Sequence, residues 1–138
     1  MMKEQTLIII KPDAVKRGLI GEILSRFEDK GFKIKKLEMT RLSEGDAKKF
    51  YDVHAGKPFF NDLVSFIISG PIVATIIEGE NATETVRRMI GPTNPKDAPK
   101  GTIRGDFATS VTENAIHASD SQESFSREYK VIFGSNQD

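Results

Sequence analysis

Apolar and polar residues alternate along this chain with two periods, and the changes between them mark out a sequence of elements. Thr6 to Ile10 is a short β-branched run that predicts a buried strand ending at Lys11-Pro12. From Gly18 to Gly31 the apolar residues Ile20, Ile23, Leu24 and Phe27 recur at helical spacing, and Gly31 stands where helices commonly end. Phe32 and Ile34 alternate in one phase and Leu37 and Met39 in the other, which predicts a second strand, Phe32 to Leu42, with a β-bulge. Ser43 caps a following helix whose one side carries Ala47, Phe50, Tyr51 and His54, and Phe59, Phe60, Leu63, Val64 and Ile67 form the stripe of another. Pro71 to Ile77 predicts a third strand, and Asn81 with Glu84 predicts a capping box opening a helix that stops near Gly91.

Periodicity then vanishes from Gly91 to Asn114, where three of the chain's six prolines fall. A connection of that length inside a compact domain usually carries function. A helix from about Ser121 to Glu128 and a short apolar strand around Val131 to Phe133 complete the series. The order points to an α+β sandwich with helices on one face of a mainly antiparallel sheet, a doubly wound parallel sheet being the alternative. At 138 residues, with no repeat or linker, one domain over 1–138 is expected.

Composition narrows the chemistry. Lys plus Arg equals Asp plus Glu at 20 each, so no overall field draws the chain to nucleic acid or anionic lipid. With no cysteine and two histidines, disulfides, thiolate catalysis and Cys-ligated zinc are excluded, and a His-built metal site is a poor prospect. The N-terminal apolar run is too short for a signal peptide or a membrane span, so a soluble cytoplasmic protein is expected.

Neither common glycine-rich phosphate cradle is present, so an anion would be held by side chains such as Lys11, Arg87, Arg88 and Arg104. Each of these also reads as an ordinary solvated charge, and Arg87 and Arg88 suit a helix C-terminus through its dipole. Phe59 and Phe60 are adjacent, and on a helix they diverge by about 100°, which frees one for a ligand or leaves both half-packed. His54, on the inward stripe with Phe50, reads as a packed helix residue. His117 is set in Asn114-Ala115-Ile116-His117-Ala118-Ser119-Asp120-Ser121, beside a run of helix-capping residues whose N–H groups suit an anion. Imidazole, with an ordinary pKa of about 6.5, is a competent nucleophile near neutrality once its tautomer and plane are fixed, and Glu128 is a candidate to fix them. An ordinary loop histidine and plain capping serines meet the same description.

Five segments together resemble one family: the His117 segment just quoted, Lys11-Pro12-Asp13, Lys57-Pro58-Phe59-Phe60, Ser69-Gly70-Pro71, and Gly101-Thr102-Ile103-Arg104-Gly105-Asp106-Phe107. In order and spacing, nearly end to end, they resemble nucleoside diphosphate kinases. The resemblance implies a ferredoxin-like core, a four-stranded antiparallel sheet with helices on one face, additional short helices and a long Pro/Gly loop. It implies transfer of the γ-phosphoryl group of a nucleoside triphosphate to a nucleoside diphosphate, ping-pong, through a phosphohistidine at His117. By the same match Lys11, Arg87, Thr93 and Arg104 are phosphate ligands, Asn114 lies near the ribose, Phe59, Leu63 and Val111 border the base, Tyr51 stands beside the reacting phosphoryl, and Ser119 and Glu128 support the histidine. Mg²⁺ is implied as a cofactor riding on the nucleotide phosphates, and a homo-oligomer, most commonly a hexamer, as the assembly. Ala118 departs from the family's usual glycine, which matters only if its φ is positive. Two other classes stand as alternatives: a nucleic-acid-binding ferredoxin-like module, against which the absent aromatic RNP1 pattern and the neutral charge weigh, and a phosphohistidine carrier between proteins.

Overall fold

The computed structural model describes residues 3–134. β1 (Lys3–Ile10) lies between β3 (Ile72–Glu80) and the short β4 (Ile116–Ala118), and β2 (Lys33–Thr40) flanks β3, giving the order β2-β3-β1-β4. Every pairing is antiparallel, which decides against the doubly wound alternative. The expected phase slip is there: the β2–β3 register shifts between Ile34 and Lys36.

Alternation along β1 feeds two cores. Ile8 and Ile10 join Ile23 and Phe27 of α2 (Ile20–Asp29), and Val86 and Ile90 of α5 (Ala82–Ile90), on one face of the sheet. Leu7 and Ile9 meet Phe50 of α3 (Glu44–Phe50), Ile67 of α4 (Phe60–Ile67) and Phe133 of α7 (Gln122–Phe133) on the other. A strand buried on both faces reads as a continuous apolar run, which is what Leu7 to Ile10 shows. The helical layer is α2 and α5; the additional short helices and α7 cover the opposite face. Two further short helices escape the periodicity, α1 (Pro12–Lys16) and α6 (Ile103–Phe107), since five residues are too few to show a stripe.

The last strand of the sheet differs from expectation. Val131 to Phe133 is not a strand but the end of α7, because Phe125, Tyr129 and Phe133 repeat at i, i+4 and i+8 and turn one stripe onto the second core. Its place in the sheet is taken by Ile116–Ala118, three residues inside the stretch without periodicity. The capping box at Asn81 is not formed either: Asn81 is left-handed (φ 49°) and makes no side-chain cap, and the Glu4 carboxylate accepts the Thr83 N–H instead, at 3.2 Å. Ser43 and Ser121 do cap α3 and α7 as expected. No helix among the described residues is long and apolar enough to cross a membrane.

Candidate active site

His117 is placed by β4. It pairs with Ile9, so its side chain shares a sheet face with Ile9 and, two residues further along the chain, Lys11. A tight turn delivers it there: the Ile116 N–H donates to the Asn114 carbonyl at 2.8 Å across Ala115, whose φ is 74°. This is the strained, positive-φ kind of γ-turn, and such a residue persists only where its surroundings hold it. Asp13 accepts the Ala115 N–H at 3.1 Å, and the Lys11 N–H donates to the Ala115 carbonyl at 2.9 Å.

The ring is oriented by α7. His117 Nε2 lies 2.9 Å from Glu128 Oε1, the Ser119 hydroxyl donates to the same oxygen at 2.7 Å, and Phe50 meets the imidazole edge to face at 4.9 Å. Burial pushes the Glu128 carboxyl up, but the bonds and charge from His117 and Ser119, with Arg127 at 3.4 Å, outweigh it and hold the group below its ordinary value. An ionised carboxylate only accepts, so the nitrogen facing it is the one that carries a proton, and in the neutral ring Nδ1 is then the atom with the lone pair.

Two arginines bracket the histidine through the carbonyls on either side of it. Arg104 Nη2 donates to the Ile116 carbonyl at 2.8 Å and Arg87 Nη1 to the Ala118 carbonyl at 3.2 Å. Arg104 Nη1 also donates to the Gly91 carbonyl at 3.0 Å. Gly91 must be glycine: its φ is 85° and an added Cβ would lie 2.8 Å from Thr102 Oγ1. Lys11 Nζ donates to Asn114 Oδ1 at 2.8 Å, and Asn114 Nδ2 to the Val111 carbonyl at 2.9 Å. Burial, followed by repulsion from Arg104, lowers the Lys11 ammonium to about 7; burial, followed by Arg87, lowers Arg104 to about 10. Tyr51 is pushed up by burial and by the Glu128 charge, which keeps its phenol a neutral donor. Cations crowded closely enough for one to depress the next, two of them buried, mark a place where an anion is welcome.

Lys11, Tyr51, Arg87, Arg104, Asn114, Ser119 and Glu128 thus gather around His117. Phe59 stands 44 % exposed and Val111 51 % exposed, apolar surface open to solvent near the same segments. Leu63 lies one turn beyond Phe59 on α4, its N–H bonded to the Phe59 carbonyl. Thr93 is exposed two residues past Gly91, joined to the cluster through the chain. Arg88 is elsewhere, paired with Glu84 at 2.6 Å on the outer face of α5. His54, read from the sequence as a packed helix residue, is half-buried beside the cluster. Its ring sits 5.2 Å from Phe59 and 6.3 Å from Tyr51, its buried Nδ1 has no protein partner, and burial, with Lys57 and His117 next, lowers its pKa. α3 ends at Phe50, and it is the separate one-turn helix Asp52–His54 that carries His54 toward Phe59, which periodicity in the sequence does not show. Ala118 is extended in β4 and not among the positive-φ residues, so the departure from glycine carries no strain.

An oriented imidazole with two buried cations, Lys11 and Arg104, and the exposed Arg87 about it, on a four-stranded antiparallel sandwich, is an arrangement that suits a polyanionic ligand. The family model for nucleoside diphosphate kinase matches residues 4–137. A nucleoside diphosphate kinase of Hyperthermus butylicus is 59 % identical over 137 residues, covering 99 % of this chain and 96 % of that protein. One from Staphylothermus marinus is 60 % identical over 133 residues, covering 96 % and 94 %. Among solved structures, the Aquifex aeolicus enzyme superposes with a TM-score of 0.92 at 47 % identity over 97 % of each chain. The Halobacterium salinarum enzyme, solved in complex with CDP, superposes with 0.93 at 43 % identity over 99 % of this chain and 91 % of that one. The chain belongs to the nucleoside diphosphate kinase family. Its activity is the transfer of a phosphoryl group from a nucleoside triphosphate to a nucleoside diphosphate.

Proposed function

We propose that His117 Nδ1 is the nucleophile of a ping-pong reaction. Its lone pair attacks the γ-phosphorus of a bound triphosphate in line with the leaving oxygen; the P–N bond forms as the P–O bond to the β-phosphate breaks, and the diphosphate departs with that electron pair. An incoming nucleoside diphosphate then attacks the phosphohistidine through a β-phosphate oxygen and restores the ring. The observation that supports this reading is the Glu128–His117 contact, which favours the proton on Nε2 and so leaves Nδ1 for attack. Such transfer asks mainly for positioning and charge neutralisation. Lys11, Arg87 and Arg104 supply the charge, the guanidinium forks of the two arginines matching equatorial oxygens, with Thr93 as a further phosphate ligand. Tyr51 donates beside the transferring group, Asn114 takes the ribose hydroxyl, and Phe59, Leu63 and Val111 border the base. Stacking reads no base edge, so all bases are accepted.

Among the described residues no group of three or more His, Cys, Asp or Glu side chains is arranged to hold a metal. Of the carboxylates beside the cleft, Glu128 is engaged by His117 and Ser119, Asp13 by the Ala115 N–H and Asp120 by the Ser124 hydroxyl. Mg²⁺ therefore fits as a passenger of the nucleotide, held by phosphate oxygens and water, where it neutralises phosphate charge. A cytoplasmic setting belongs to the same reading. Self-association is supported by β2, an edge strand with Leu37 53 % and Met39 57 % exposed; a hexamer is the form expected, and light scattering of the purified protein measures it.

The test of the site is label transfer. With ATP labelled at the γ-phosphate the protein becomes labelled at an acid-labile, base-stable position, and the label leaves on addition of CDP or GDP. His117→Asn takes up none. Labelling that survives that substitution removes His117 from the reaction.

A further inference from the structure

α6 carries Arg104 but is only five residues long, too short to hold its own geometry, so something outside it must set its tilt. Its inner side is fixed by Ile103, fully buried in the first core, and by the Thr102 hydroxyl, which accepts the Gly105 N–H at 3.0 Å and donates to the Pro99 carbonyl. Gly105 allows that fold-back, since a Cβ there would lie 2.0 Å from the Pro99 oxygen. Its outer side is gripped from α2. Arg26 Nη1 lies 2.8 Å from Asp106 Oδ2, the guanidinium carbon of Arg26 stands 4.8 Å from the Phe107 ring centroid, and Asp106 Oδ1 accepts the Gly101 N–H at 3.0 Å. The remaining polar contact of Arg26 is Nε to Glu22 Oε2, at 3.3 Å on its own helix.

We propose that Arg26, whose side-chain polar partners among the described residues are Glu22 and Asp106, is a positioning residue for phosphoryl transfer, holding Arg104 in register through Asp106 and Phe107. This rests on the reading of His117 and Arg104 above. Residues 104 and 106 lie about 200° apart on a helix, so a pull on the Asp106 side is felt as a displacement of Arg104 on the other. Arg104 has two carbonyls to reach at once, those of Gly91 and Ile116, and a small rotation of α6 breaks one of them. The Arg26–Asp106 pair is partly exposed, 25 % and 26 %, so its direct contribution to folding is small. Displacement of a transition-state group by about 1 Å is far more costly, on the order of 10²-fold in rate.

The experiment is a double-mutant cycle in the full-length chain, read as the single-turnover rate of label transfer from γ-labelled ATP to the enzyme. Arg26→Met should slow transfer by roughly tenfold with the melting temperature nearly unchanged. In an Arg104→Gln background the same substitution should cost little further, because residues acting through one group are not additive. A merely structural role predicts the full loss in both backgrounds, and that result overturns the proposal, as does a wild-type rate in Arg26→Met. If Arg26→Met does not fold, Asp106→Asn, which keeps an acceptor for Gly101, replaces it in the same cycle with the same expected and overturning results. Failure of wild-type protein to take up label at all would instead overturn the phosphohistidine reading, so the two failures are distinct.

Discussion

Glu128 Oε1 accepts from two directions, 2.9 Å from His117 Nε2 and 2.7 Å from the Ser119 hydroxyl, deep enough that Glu128 is only 5 % exposed. One carboxylate oxygen therefore fixes both the plane and the tautomer of the imidazole, while Ser119 holds that oxygen in place.

Glu128→Gln keeps the shape but not the instruction, because an amide offers a donor as readily as an acceptor and the ring loses its preference for a proton on Nε2. Turnover should fall by about 10²-fold or more, with KM little changed. The carboxyl's folded pKa lies below its unfolded value near 4.5. Its stabilisation is thus present above 4.5 and lost as pH falls through the lower folded value. Urea unfolding across pH 3 to 6 should show the wild type losing more stability than Glu128→Gln; parallel curves would deny the bond that role.

Lys11 has a linkage of the same sign at higher pH. Its folded pKa of about 7 lies below the unfolded 10.5, so its contribution to stability is complete above 10.5 and lost as pH falls from there through 7. In the free protein at pH 8 most of this lysine is neutral, and a phosphate brought beside it restores its charge. Binding of ADP at pH 8 should take up as much as one proton, and at pH 6 almost none. Calorimetry in two buffers of different ionisation enthalpy measures it; equal enthalpies at pH 8 count against the assignment, and Lys11→Met should abolish the difference.

Phe59→Ala should raise KM for every nucleotide to a similar degree, since removing a stacking face costs about 1–3 kcal/mol whichever base is lost. Turnover at saturation should change much less. A loss confined to purines, or to one base, would show that Phe59 reads more than a π-face.

Ala118→Gly should leave activity at the wild-type level and lower stability by about 0.5–1 kcal/mol, because Ala118 is extended, buried and already compatible with a side chain. Thermal unfolding and steady-state turnover check both halves of this. A gain in turnover would mean that β4 is strained where it now looks relaxed.

The sequence made the sheet's centre legible because a strand buried on both faces writes itself as an apolar run, unbroken in Leu7 to Ile10 and interrupted only by Thr75 in Ile72 to Ile77. The bulge in β2 showed as a slip of phase, and Ser43 and Ser121 announced the helices they cap. Short elements were invisible for the converse reason. Five residues of α6 or three of β4 hold less than two periods, so no pattern can accumulate. Val131 to Phe133 misled because a β-branched run at a chain's end suits a strand until a helix stripe beginning at Phe125 claims it.

Residue types and order determined the apolar framework, the supply of cations without a glycine-rich cradle, and the two histidines from which a nucleophile could be drawn. Tertiary structure decided which histidine is oriented. Only folding brings Glu128, eleven residues on and from another element, against Nε2, and only folding sets Arg87 and Arg104 on the carbonyls either side of His117. A side chain's chemistry is local, but its charge state, tautomer and aim are set by neighbours in space, and those are distant along the chain.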